Sequence, residues 1–344
     1  MKKTNSIISY RFLKSSFFNK KKQSRLPIDF NKIKLGSHQR CPACGFDQAW
    51  LIATVDRIGF ICETVVCKNC QLVFNDSYIA EPETFYREIW GEDRWGNPDE
   101  NFKKRTSIDH YSWRRFAWVA KNLNGRLSKV KNVLEVGCGD GCNLFPYHLN
   151  GYEVTGLDYD DKFLEPGRKK GMNLFIGDIF NNKLKSKYDL ILLIHSFEHM
   201  QDLDKVIIEC KKYLKPNGFV YVEIPGIINW NRVRTNRLTS GGMSSSNNFL
   251  GYLQFQHNYH FDAHHLKWFW ERNGFETIQL DEWVRALFKS SSDQNNLIQN
   301  IENHTNYNFD IVKHLKKVEK NFLSVSNQFK RSLRYMLKKS TWSR

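Results

Sequence analysis

The chain has 344 residues, 41% of them apolar, and a formal net charge of +16. That composition can bury one large core plus a small satellite, and no apolar run approaches the ~20 residues a membrane-crossing helix needs, which excludes a helical membrane protein and predicts a soluble chain. The eight cysteines include two Cys-x-x-Cys pairs, and without a secretory apolar segment such spacing favours metal binding in a reducing, cytoplasmic compartment over a disulfide framework.

Residues 1–40 carry eleven Lys or Arg and one acid, Asp29, and read as a disordered basic tail. The cysteine segment 41–76 follows. Cys41 and Cys44 form one pair, Cys67 and Cys70 the other, with 22 residues between them that include the hairpin-like Ile58-Gly59-Phe60-Ile61. Two such knuckles on a hairpin can bring four thiolates into a tetrahedron around zinc, a closed site whose work is folding rather than catalysis. Cys62 is the one competing ligand in the segment. A helical, aromatic connector (77–125) contributes Trp90, Trp95, Tyr111 and Trp113, flat faces that suit sugar stacking or core packing.

The main domain (126–288) alternates strand-like and helix-like segments, with strands expected over 133–136, 153–157, 173–176, 188–194 and 218–224. This pattern predicts an α/β fold, a Rossmann-like parallel sheet with helices on both faces. Ligands of such sheets bind at the carboxyl ends of the strands. There stand the Gly137–Gly141 loop, Asp158, Asp178 and the His195-Ser196-Phe197-Glu198-His199 run. The loop reads Gly-x-Gly-x-Gly between Glu135 and Asp140, acids that argue against a pyrophosphate and suit a cationic ligand. Asp158, 21 residues beyond Gly137, can take two ribose hydroxyls. S-adenosylmethionine has both features.

With Gly177-Asp178, Tyr188-Asp189-Leu190-Ile191, Glu198-His199 and Leu214-Lys215-Pro216-Asn217-Gly218 in order behind that loop, the stretch from about Lys131 to Leu280 resembles the class I S-adenosylmethionine-dependent methyltransferases. With the knuckles in front, the whole is similar to zinc-knuckle methyltransferases of sugar and polysaccharide biosynthesis. The second knuckle departs from the pattern at Gln71, where glycine is usual. The resemblance implies that Glu135, Gly137, Gly139 and Asp140 line the methionine part of the cofactor. Asp158 would bind the ribose, and Asp178 with Ile179 would hold the adenine. The implied acceptor is a small molecule, a sugar nucleotide or glycan precursor, methylated at oxygen.

Removing the hydroxyl proton calls for a base, and His199, His257 and His260 are the candidates. Arg232, Arg234 and Arg237 could pair with a phosphate, and 239–248 is a loop by composition. The tail 289–344 places Ile311, Leu315, Val318, Phe322, Val325, Phe329, Leu333 and Met336 at helical spacing under a basic face. Such a helix packs on its own domain or makes peripheral contact with an anionic membrane. The charge raises a nucleic-acid methyltransferase as the alternative. The fourth strand, however, does not end in the Asn/Asp-Pro-Pro-aromatic signature of base-amino methylation, and no Pro-Cys dipeptide exists. A cofactor-fold scaffold without activity is the remaining alternative.

Overall fold

The computed structural model describes residues 1–4, 32–57, 59–90, 97–181, 184, 186–228, 252–281, 284–291 and 310–324. The Arg232, Arg234 and Arg237 group, the 239–248 loop, Trp95 and the helix register beyond 324 lie outside these residues. Of the expected tail, residues 5–31 lie outside the described residues; the described ends, 1–4 and 32–40, carry two short strands. β1 (Lys2–Thr4) runs parallel to β3 (Gln48–Val55), and β2 (Leu35–Ser37) pairs with β6 (Ser77–Ile79). Lys3 sits between Glu63 and Asp76, so a basic residue of the segment has acids waiting for it. β3, β4 (Ile61–Cys67) and β5 (Val73–Asn75) form an antiparallel meander, with Gly59 and Phe60 at its first turn.

The main sheet has seven strands. β7 (Asn132–Val136), β8 (Glu153–Asp158), β9 (Asn173–Ile176), β10 (Tyr188–Ile194) and β11 (Leu214–Glu223) are its parallel part, ordered β11–β10–β7–β8–β9. Leu190–Leu193 and Val220–Val222 are fully buried, as strands covered on both faces must be. The parallel prediction is incomplete, because β13 (Phe275–Leu280) and β14 (Arg285–Ser290) extend the β11 edge in antiparallel fashion. A tight connection between them and apolar residues such as Ala286, Leu287 and Phe288 make this possible; the crossover helix of a parallel addition is not needed.

The cysteine segment and the main domain share one core. Cys41, Cys67 and Phe74 belong to the same apolar cluster as Leu134, Ile191 and Trp270. The link is also made by backbone: β12 (Tyr259–His260), which belongs by sequence to the main domain, pairs with β5 of the cysteine segment. At the join, Asn75 is 1% exposed. Its Nδ2 donates to the carbonyls of Gln254 (3.0 Å), Phe255 (3.3 Å) and His257 (2.9 Å), and its Oδ1 accepts from Thr64 Oγ1 at 2.9 Å.

The carboxyl-terminal helix, Ile311–Leu323, is self-packed: Ile311, Leu315 and Val318 bury against Ile52, Val66 and Val73. Lys313, Lys316, Lys317 and Lys320 stay on the exposed face. Gln71 explains its own departure from glycine. It holds a left-handed φ of 64° like Gly45 at the corresponding turn (φ 73°), a strain of roughly 1–2 kcal/mol. Its Oε1 meanwhile accepts from the Ile311 backbone N at 2.9 Å and so tethers the start of this helix.

Asn75→Ala takes its donor from the Phe255 and His257 carbonyls and from Thr64 its acceptor, Gln254 keeping the His257 N–H, at about 1–3 kcal/mol for each group stranded. Denaturant unfolding should show a loss of about 3 kcal/mol or more; a loss under 1 kcal/mol would mean the join is held by other contacts.

Candidate active site

The parallel strands present their carboxyl ends on one side of the sheet, and the residues expected to hold a cofactor gather there. Glu135 ends β7 fully buried. Its Oε1 accepts from Asn143 Nδ2 at 2.8 Å, whereas Oε2 has no hydrogen-bond partner among the described residues. Desolvation pushes its carboxyl up to about 8, against Asn143, Arg115 and Arg105, which favour the ion. Gly137 and Gly139 turn with φ of 75° and 53°. A Cβ on Gly137 would lie 2.6 Å from Ser196 Cβ, and one on Gly139 2.8 Å from the Phe163 ring. The glycines thus let the loop close onto protein neighbours as well as onto any ligand. Asp140 is buried and engaged, Oδ1 accepting from Cys142 N (3.0 Å) and Oδ2 from Arg105 Nη1 (3.0 Å).

Asp158 closes β8. Its Oδ2 accepts from Gly139 N at 2.7 Å and Oδ1 from Asp160 N at 3.2 Å, with Asp160 itself capping the next helix through Phe163 N. Helix capping therefore does not account for Asp158, which stays partly open to solvent. Asp178 Oδ1 accepts from Phe180 N and Asn181 N, and its Oδ2 from Tyr159 Oη at 2.7 Å. Ile179 is 1% exposed in the core cluster, so the backbone is what it can offer a ligand.

Beyond β10, His195 has a left-handed φ of 53° and leads into a short 3₁₀ turn, Phe197–His199. Partial desolvation opposes charge on His195, and Glu198 and Glu223 outweigh it, pushing the imidazole up to about 9. Glu198 is 1% exposed, and neither carboxylate oxygen has a hydrogen-bond partner among the described residues. His199 Nδ1 faces the Gln256 carbonyl at 2.9 Å and Tyr86 Oη at 3.0 Å. A carbonyl only accepts, so Nδ1 carries the proton. The lone pair is then on Nε2, 3.8 Å from Glu198 Oε1. The His257 ring lies edge-on to it with centroids 4.8 Å apart. Burial lowers the pKa of both histidines and keeps them neutral.

His260, the third candidate, stands within the cysteine-segment sheet. Its Nε2 meets Asn75 Oδ1 at 3.2 Å, and burial drives it down to about 3. The sequence reading missed the connector's arginines. Arg105 reaches Asp140, and Arg115 joins Asn143 Oδ1 (3.1 Å) to Glu223 Oε1 (2.7 Å), Glu223 also accepting from Tyr221 Oη. Two arginines ten residues apart in a helical segment were the available signal. The connector also supplies Tyr86, stacked parallel to Tyr159 at 6.4 Å, while Trp90 packs on Phe85 and Phe255. A cleft lined by Asn132, His148, Thr155 and Tyr188 lies at the strands' opposite, amino-terminal ends and contains none of these groups.

Residues 109–280 match the family model described as a methyltransferase domain, half of the chain. The chain belongs to this family. Among curated proteins, ubiquinone biosynthesis O-methyltransferases are similar to it. That of Bordetella avium is 28% identical over 136 residues, 37% of this chain and 54% of the relative. That of Idiomarina loihiensis is 26% identical over 150 residues, 41% and 60%. The chain thus spans about half the length of the relatives it matches. Among solved structures, the SAM-bound amino pentose methyltransferase of calicheamicin biosynthesis from Micromonospora echinaspora is 20% identical. That match covers 39% of this chain and 58% of that one, with a TM-score of 0.32. The plantazolicin methyltransferase bound to SAH is 14% identical, covering 57% and 91%, with a TM-score of 0.42.

In front of its methyltransferase domain the chain carries the four-cysteine cluster. The four Sγ atoms lie within 4.8 Å of one another, with Cys41 to Cys70 at 3.6 Å and Cys44 to Cys67 at 3.5 Å. A disulfide would need ~2.05 Å, whereas thiolates ~2.3 Å from a central ion stand about 3.8 Å apart. The cluster fits a tetrahedral zinc. Cys62 is elsewhere, buried with Ile79, Phe85 and Phe255, and desolvation pushes its thiol up to about 12. Asn69 N donates to Cys67 Sγ at 3.4 Å. From the methyltransferase side, His265 directs Nε2 at the Cys70 carbonyl (2.9 Å) and Nδ1 at Asp262 Oδ2 (2.8 Å).

Purified protein should contain one zinc per chain. Cys67→Ser should lose it, and with it much of the roughly 10–16 kcal/mol that such sites contribute. Thermal melts should then show early unfolding of the amino-terminal part; a metal-free wild type with an unchanged melt would contradict the assignment.

Proposed function

We propose that the chain is an S-adenosylmethionine-dependent methyltransferase acting on a hydroxyl of a small molecule, a sugar or glycan precursor. The observation that carries this reading is the end of β7. A buried carboxylate with one oxygen unpartnered stands beside glycine turns and one strand from Asp158. A cationic ligand satisfies the first, a ribose diol the second. The relatives named as O-methyltransferases support oxygen as the acceptor atom. The sugar class rests on the resemblance of the knuckles plus domain to zinc-knuckle methyltransferases, and the aromatic faces of Tyr86 and Tyr159 suit a ring of that size.

When bound, S-adenosylmethionine would supply a sulfonium-activated methyl group to the acceptor oxygen, with S-adenosylhomocysteine as the leaving thioether. The chain's task is alignment and proton management. Glu135 Oε2 would accept from the cofactor's ammonium, Arg105, about a third exposed, would face its carboxylate, and Asp158 would hold the ribose. On the acceptor side, the lone pairs that can draw off the hydroxyl proton are those of His199 Nε2 and Glu198. Neutral His199 is in the accepting state at neutral pH.

Two binding measurements test this. Asp158→Ala should weaken S-adenosylhomocysteine about 10- to 100-fold, the size of a lost charge-assisted pair of hydrogen bonds. Unchanged affinity would overturn the ribose role. The second is pH. Free Glu135 holds its proton below about 8, whereas the ammonium requires the carboxylate. Affinity should therefore fall as pH drops below 8, by up to about tenfold per unit, with a proton released on binding. Calorimetry in buffers of different ionisation enthalpy reads that proton, and Glu135→Gln should abolish it. A pH-independent wild type would contradict the contact.

A further inference from the structure

We infer that Glu198, His199 and His257 form a second metal site, one that takes a divalent cation at the acceptor end of the pocket. One carboxylate oxygen of Glu198 and one ring nitrogen each of His199 and His257 lie within 4.8 Å of one another. Donors about 2.1 Å from a shared ion stand roughly 3–4 Å apart. The widest pair has to draw in by about 1–2 Å, and Glu198 Oε1 to His199 Nε2 is already 3.8 Å.

Three features make this a built site. The Glu198 carboxylate is 1% exposed, with both oxygens lacking hydrogen-bond partners among the described residues, a costly arrangement for a bare carboxylate. His199 has the outer contact that metal-bound histidines show: Nδ1–H on a backbone carbonyl, that of Gln256, which fixes the tautomer with Nε2 free. The backbone that carries the ligands is clamped. Asn75 Nδ2 holds the His257 carbonyl, and Asn258 Nδ2 donates to the carbonyls of His199 (2.7 Å) and Met200 (3.0 Å).

Two imidazoles and one carboxylate leave coordination positions open, the pattern of sites that receive oxygen donors from a substrate. His199 is 22% exposed and opens the trio toward the pocket. The chemistry that fits is an acceptor offering a hydroxyl with a neighbouring oxygen. The site also contrasts with the cysteine cluster, since its nitrogen and oxygen donors suit harder cations than four thiolates do. The competing counter-charge is His195, whose Nδ1 stands 3.6 Å from Glu198 Oε1, beyond a hydrogen bond. The use of the cation rests on the methyl-transfer reading; its binding does not.

The test uses tag-free, zinc-loaded full-length protein titrated with Co2+ and followed by visible absorption. One Co2+ should bind with weak d–d bands and no thiolate-to-metal charge transfer, zinc content staying constant. Glu198→Gln and, independently, His257→Gln should each weaken Co2+ by more than about 100-fold, beyond the ~10–100-fold that outer contacts alone cost. Both should keep the thermal melt and the S-adenosylhomocysteine affinity of the wild type. No Co2+ bound beyond the zinc, or full affinity retained in Glu198→Gln, would overturn the site and leave His195 as the counter-charge. S-adenosylhomocysteine binding on the same samples separates the outcomes, since its loss in the wild type would sink the methyl-transfer reading alone.

Discussion

The buried carboxamide of Asn75 is the contact on which the rest of the arrangement depends. It lies in β5, directly beyond the second cysteine knuckle, and its amide grips the backbone of 254–257. That grip positions β12 as an added strand, and Asn258 on the same segment then holds the turn that carries Glu198 and His199. A chain of backbone and amide contacts therefore runs from four cysteines to the acceptor side of the pocket. His265 provides a second tie, from the start of a main-domain helix to the Cys70 carbonyl. The cysteine segment thus holds the backbone of 254–258, which in turn holds the turn that carries Glu198 and His199.

The charges in the pocket follow from which groups are left without partners. Where the connector provides arginines, the acids are settled: Asp140 by Arg105, and Glu223 by Arg115, Tyr221 and His195. Glu135 Oε2 and both Glu198 oxygens have no hydrogen-bond partner among the described residues, although His195 stands 3.6 Å from Glu198 Oε1. Buried acids without partners are costly to fold. They stand at the carboxyl ends of β7 and β10, where such sheets bind ligands, and on the proposed reading positive charge enters there. On that reading Glu135 would take the cofactor's ammonium, and Glu198 a cation or proton on the acceptor side.

Much of this was legible in the sequence because it is local. The two Cys-x-x-Cys turns, the glycine turn after β7 and the alternation of the parallel strands are each set by neighbouring residues. What escaped depends on distant pairing. Nothing near Tyr259 shows that it leaves the main domain to pair with Phe74. The antiparallel additions β13 and β14 read as ordinary apolar runs, and Lys2–Thr4 is a strand only because Gln48–Trp50 offers an edge. His257 and His260 looked equivalent in sequence. His257 stands before β12 with its ring against His199, whereas His260 lies in β12 and reaches Asn75, and only the long-range pairing of β12 with β5 distinguishes them. Arg105 and Arg115 showed only as two arginines of a helical segment, because their partners stand 28 or more residues away.

The claim that the cysteine cluster organises the acceptor side can be measured by hydrogen exchange of the full chain before and after chelation. The account predicts that amides of 61–75 and 256–262 lose protection together, while 133–136 and 190–194 remain protected. Retained protection over 256–262 in the metal-free protein would contradict it, leaving the cluster a staple for its own segment.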